Sequence, residues 1–127
     1  MINLKQFEKQ QYMSVETYRK TGEAVRTPVW FIESNGEFLF NTEETSAKVK
    51  RIRRNPAVKI APCDMRGELK GEFISGTARF LSPEETASAK KIYANKYGLM
   101  GKLFELMGNS RKSARVFLSV KPDEGIG

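Results

Sequence analysis

The chain has 127 residues, a net charge of +7, one cysteine and no histidine, which suits one domain over residues 1–127 and an anionic partner such as nucleic acid, an acidic membrane surface or a phosphorylated small molecule. The lack of histidine removes His-based nucleophilic triads and the usual zinc and proximal-haem ligands, and the lone Cys63 removes an internal disulfide and a structural zinc site. Chemistry is left to a bound cofactor, or to Lys, Arg, Asp, Glu and Tyr. No apolar run approaches the roughly 18–20 residues of a membrane span, and Met1-Ile2-Asn3-Leu4-Lys5 lacks a signal-peptide core. With a single cysteine, these features predict a cytoplasmic protein.

In chain order, residues 2–11 place Ile2, Leu4 and Phe7 among polar residues and predict a short amphipathic helix. Tyr12 to Tyr18 alternates as a half-buried strand does. Lys20-Thr21-Gly22-Glu23 is a turn, and Ala24 to Ser34, rich in Val, Trp, Phe and Ile, is a strand. Asn35-Gly36 is the strongest hairpin signal in the chain and joins it to a strand over Glu37–Thr42. Thr45 to Arg54 predicts a helix that stops at Asn55-Pro56, because proline disfavours helix in the preceding residue. Val58–Ala61 is a strand, Cys63–Gly67 a loop, and Glu72–Leu81 a further strand. Ser82-Pro83-Glu84-Glu85 is a capping box with proline at the first helical position. Its helix runs to about Tyr97 and ends at Gly98, a second short helix covers Leu99–Met107, and Ala114–Lys121 closes the chain as a strand. About six strands, mostly antiparallel, predict a mainly β fold, a barrel or sandwich with helices inserted.

The most informative stretch runs from Phe40 to Pro56. A strand delivers the chain into a helix whose first turn carries Ser46 and Lys48. Exposed amides at a helix start attract an anion, and nearby hydroxyl and ammonium groups reinforce the attraction. Two other readings compete with this one. Val49 and Ile52 form an i, i+3 apolar pair, which reads the basic residues as a solvated helix face. Five of the seven residues from Lys48 to Arg54 are basic, so helix 45–54 also suits nucleic-acid phosphates, although the chain lacks the base-stacking motif of an RNA-binding sheet. In Arg26-Thr27-Pro28-Val29-Trp30, a proline inside a strand marks an edge, a bulge or a ligand-facing backbone. Arg26 lies two residues before it, on the same face. Cys63 reads as a small packed residue with no histidine to activate it. Tyr93, Tyr97, Leu103 and Leu106 read as helix faces in the core.

Three stretches then occur in one order: Gly22…Arg26-Thr27-Pro28-Val29-Trp30, Asn41-Thr42…Ser46-Ala47-Lys48, and the run to Asn55-Pro56. That order resembles the pyridoxamine-5′-phosphate-oxidase-like class of flavin and deazaflavin oxidoreductases. Ala61–Gly67, Gly76-Thr77-Ala78-Arg79 and Lys96-Tyr97-Gly98 are similar to its branch dependent on coenzyme F-420. The likeness spans roughly residues 10–121. It implies a six-stranded split β-barrel, dimeric, with two cofactors in clefts at the subunit interface. By the same likeness Ser46 and Lys48 hold the cofactor phosphate, and Asn41 and Thr42 contact the ribityl chain or phosphate. Arg26 and the backbone of Pro28, Val29 and Trp30 lie along the ring system, and the partner's loop from Cys63 to Gly71 closes the cleft.

The implied activity is hydride transfer between coenzyme F-420 or FMN and a small unsaturated or quinone-like substrate, with no covalent intermediate. Lys50, Arg51, Arg53 and Arg54 are suited to the acidic tail of the deazaflavin. The alternatives are a protein that binds a flavin or deazaflavin without turnover, and a nucleic-acid module using helix 45–54.

Overall fold

The computed structural model describes residues 4–108 and 114–123, with backbone only for 99–108. Seven strands form one antiparallel sheet: β1 (Tyr12–Tyr18), β2 (Ala24–Trp30), β3 (Ile32–Ser34), β4 (Glu37–Glu43), β5 (Ala57–Cys63), β6 (Ile74–Phe80) and β7 (Arg115–Pro122). Their order is β2-β1-β5-β6-β7-β4-β3. The two end strands are consecutive in the chain, separated by Phe31 alone. The sheet therefore curls until its ends are joined covalently: Ala24–Ser34 is one bent strand that pairs with β1 through its first part and with β4 through its last. Counted that way the barrel has six strands. It is split because, among the described residues, β2 forms a ladder with β1 and none with β4.

Alternation along the strands fills the interior. Met13 and Val15 of β1, Val29 of β2, Phe38 and Phe40 of β4, Val58 and Ile60 of β5, and Leu118 and Val120 of β7 form one buried cluster. Phe7, on a 3-10 turn over Leu4–Phe7, packs its ring on Phe38 at 4.5 Å and Phe31 at 5.8 Å and covers one mouth. The predicted helix over 2–11 is limited to that turn, because Lys9 takes a positive φ of 62° and redirects the chain into β1. Helix α1 (Ala47–Arg54) buries Val49 and Ile52 at the other mouth, and Arg51 there donates from Nε to Thr17 Oγ1 at 2.7 Å. It starts at Ala47 rather than Thr45 because Ser46 is its N-cap, with Oγ accepting from the Val49 amide at 3.3 Å.

Helix α2 (Pro83–Gly108) is opened by the predicted capping box. The Ser82 amide donates to Glu85 Oε1 at 2.9 Å and the Glu85 amide to Ser82 Oγ at 3.2 Å. At Gly98 the backbone leaves helical geometry (φ 54°, ψ −132°), a combination open to glycine, and the axis kinks there. Ala89, Ile92, Tyr93 and Tyr97 recur at helical spacing and cover Ile32, Leu39 and Phe117 on the outer face of the sheet. The side chains of Leu103 and Leu106 lie outside the described residues. The hairpin between β3 and β4 turns through Asn35 and Gly36, both at positive φ (55° and 80°), as an Asn-Gly turn of the right twist requires.

Strand β1 is buried on both faces, not half-buried, with outward-facing Ser14 and Glu16 only 1% and 6% exposed. It lies between β2 and β5, and the loop after β5 lies across that face, Gly67 approaching the Pro28 ring and Phe73 lying under Arg26.

Candidate functional site

The bend that closes the barrel needs its own supports, because Phe31 has left the β1 ladder and not yet entered the β4 ladder. The Tyr97 hydroxyl accepts from the Phe31 amide at 3.0 Å and lies 2.6 Å from the Phe31 carbonyl and 2.7 Å from the Gln11 carbonyl. Lys96 Nζ donates to the same Phe31 carbonyl at 2.8 Å and sits 3.8 Å from the Phe31 ring centroid. Trp30 stacks on the Tyr97 ring, with centroids 4.4 Å apart and planes within 4°. The Tyr93 hydroxyl reaches the carbonyls of Trp30 and Leu39 at 3.0 and 3.2 Å, tying the bend to β4. Helix α2 thus fixes the end of β2 where the chain bends toward β4.

Across the split, β4 leads into α1 and brings Asn41, Thr42, Ser46 and Lys48 to one end of the barrel. The Thr42 and Ser46 hydroxyls are 3.4 Å apart. Arg115, next to them on β7, donates from Nε to Asn41 Oδ1 at 2.6 Å. Burial lowers the Lys48 ammonium from its ordinary value, and the positive charges of Arg51 and Arg115 lower it further. Arg51 is lowered likewise by burial and by Arg19 and Arg54. Among the described residues no carboxylate pairs with Lys48, Arg51 or Arg115. Lys48 in the first turn of α1 and Arg115 on β7 are therefore neighbouring cations with no carboxylate paired to either among the described residues, and Arg51, in the last turn with its Nε on Thr17, adds to their positive field. On β2, Thr27 Oγ1 is buried without a hydrogen-bond partner among the described residues.

That donor set fits a phosphate monoester. Backbone amides at the start of α1, the Lys48 ammonium and the Arg115 guanidinium can give an anion charge-assisted hydrogen bonds. Arg115 was absent from the sequence-predicted set; it lies about seventy residues from Lys48 in the chain, and only the pairing of β4 with β7 brings it in. Ser46 is present, but its Oγ is already engaged as the helix cap.

Arg26, Pro28 and Trp30 share the outer face of β2, and Val29 points into the core. The Arg26 Nε is committed to Glu16 Oε1 at 2.8 Å. Cys63 is buried, and burial followed by the nearby Asp64 pushes its thiol up to about 11, the setting of a packed residue. The loop that follows is organised by Asp64, whose Oδ1 accepts from the amides of Arg66 and Glu68 at 2.8 and 2.9 Å. It leaves Met65 68% exposed. Among the described residues no helix is long and apolar enough to cross a membrane, and no group of His, Cys, Asp and Glu side chains is placed to hold a metal.

Residues 3–127 match the family model of pyridoxamine 5′-phosphate oxidase. The chain belongs to this family. No curated protein matches it in sequence. Among solved structures it is similar to HutZ, a haem-storage protein from Vibrio cholerae, at 12% identity and a TM-score of 0.70, over 91% of this chain and 84% of that one. A conserved hypothetical protein from Mycobacterium tuberculosis superposes at 17% identity and a TM-score of 0.72, over 97% and 82% of the two chains. A reductase dependent on F420-H2 does so at 16% identity and 0.63, over 87% and 94%. At these identities the likeness is one of fold.

Proposed function

We propose that this family member is a homodimeric cytoplasmic oxidoreductase. It transfers hydride between bound coenzyme F-420 or FMN and a small unsaturated or quinone-like substrate. The observation that carries the reading is the pair of cations Lys48 and Arg115 at the start of α1, with Arg51 adding to their field and no carboxylate paired to any of the three among the described residues. Lys48, with the α1 amides and Arg115, holds the cofactor phosphate. Asn41 and Thr42 adjoin the ribityl chain, and the β2 backbone from Pro28 to Trp30 lies along the ring system. The cofactor supplies the hydride chemistry; the protein binds, orients and excludes water. Lys50, Arg53 and Arg54 lie on the exposed face of the same helix, where an acidic cofactor tail would find them. The F420-H2 dependent reductase of the same fold supports the deazaflavin.

The test is titration of the purified protein with FMN and with the deazaflavin, followed by fluorescence. Lys48→Ala is expected to weaken binding at least tenfold, the loss of one charge-assisted contact, whereas Lys59→Ala leaves it within about twofold. Equal effects refute the phosphate assignment. Binding of neither cofactor refutes the reading as a whole, and tight binding with no substrate reduction points to a protein that stores the cofactor.

A further inference from the structure

Glu16 is a carboxylate on the outer face of a central strand, 6% exposed, and its surroundings hold it ionised. Burial by itself would raise its carboxyl. Hydrogen bonds from Tyr18 (2.6 Å) and Arg26 (2.8 Å), with the charges of Arg26 and Lys59, outweigh burial and lower it. The same pairing, after burial, pushes the Tyr18 phenol up to about 12. Glu16 faces Arg26 on one neighbouring strand and Lys59 on the other, so the row carries one net positive charge.

Its geometry is directional. One Glu16 oxygen is taken by Tyr18 and the other by Arg26 Nε, and the guanidinium lies over the Phe73 ring at 4.5 Å. The terminal Nη1 and Nη2 groups make no hydrogen bond among the described residues, and the Arg26 side chain is 55% exposed. A guanidinium held along its Nε edge and stacked on an aromatic face keeps its two Nη groups fixed toward solvent, with little rotamer entropy left to lose when a planar oxyanion is bound.

We infer that Glu16 and Tyr18 are positioning residues for Arg26, and that the fixed guanidinium above Phe73 recognises a carboxylate on a small planar molecule. Resting on the reading of β2 as a wall of the cofactor site, this names the substrate class as carboxylate-bearing. The clamp makes a prediction with an unusual sign. The Glu16 charge opposes an incoming anion, while its oxygen orients Arg26. Glu16→Gln keeps an acceptor for Nε and removes the charge, so it preserves or tightens carboxylate binding. Glu16→Ala removes both and frees the side chain, so it weakens binding.

The probe is benzoate, with benzamide as its neutral counterpart, titrated into the protein with and without FMN and followed by Trp30 fluorescence and by the Arg26 Nε–H resonance. Benzoate is expected to bind and benzamide to bind at least tenfold more weakly. Arg26→Ala should cost benzoate about tenfold and Arg26→Lys nearly as much, since an ammonium lacks the planar fork. Glu16→Ala should cost several-fold and Glu16→Gln nothing. Thermal midpoints of all variants separate these effects from loss of fold, and Glu16→Gln serves where Glu16→Ala fails to fold. Benzoate binding that is absent, equal to that of benzamide, unaffected by Arg26→Ala, or weakened by a folded Glu16→Gln overturns the inference. Failure of FMN or the deazaflavin to bind, with benzoate recognition intact, overturns the cofactor reading alone.

Discussion

Removing the Tyr97 hydroxyl tests whether α2 holds the barrel closed at the bend. In Tyr97→Phe the ring keeps its stack on Trp30, but the Phe31 amide loses its acceptor and the Gln11 carbonyl its donor. A buried amide left unpaired costs about 1–3 kcal/mol and a lost neutral hydrogen bond about 0.5–1.5 kcal/mol. The Phe31 carbonyl is spared, because Lys96 still donates to it. The expected loss is thus about 2–3 kcal/mol, which in a protein of this size lowers the thermal midpoint by roughly 8–12 °C. The assay is urea unfolding followed by far-ultraviolet circular dichroism and Trp30 fluorescence. Tyr12→Phe serves as the control, since its hydroxyl makes no side-chain hydrogen bond among the described residues; it should stay within about 0.5 kcal/mol of the parent. A Tyr97→Phe loss no larger than that control would show that the bend is held by strand pairing alone.

Other outcomes follow from the same contacts. Ser46→Ala should cost about 1 kcal/mol by uncapping α1, and Ser46→Asp, which restores an acceptor, should recover stability but weaken binding of a phosphorylated cofactor. Glu85 is held at about 2, below its ordinary value near 4.5, first by its hydrogen bond from Arg79 and then by the Ser82 amide. A lowered carboxyl stabilises the fold above the unfolded value and loses that contribution as pH falls toward 2. The difference in thermal midpoint between the parent and Glu85→Gln should therefore be largest near pH 6 and shrink below pH 4. Cys63 should react with a disulfide reagent at pH 8 far more slowly than free cysteine, because it is buried and its thiol lies near 11; rapid labelling would contradict that packing.

Strand and helix placement was legible in the sequence wherever one residue or one period carried the information. Asn35-Gly36 gave the hairpin, Ser82 to Glu85 the helix start, and Gly98 the kink, because each is a local backbone requirement that few other residues meet. The split barrel came from resemblance, since local pattern alone leaves barrel and sandwich both open. The candidate anion site was half legible. Ser46 and Lys48 lie at a helix start, five and seven residues past Asn41, within reach of local reasoning. Arg115 joins them only through the pairing of β4 with β7, and the lack of a paired carboxylate among the described residues is a property of the assembled cluster. Arg26 shows the same limit: its position on a strand face follows from alternation, but its commitment to Glu16 depends on the register of β1 against β2. Alternation likewise read Tyr12–Tyr18 as a half-buried strand, with one face solvated. Only the tertiary structure lays the loop after β5 across that face, so burial there reflects contacts between segments distant in the chain, which no local pattern encodes.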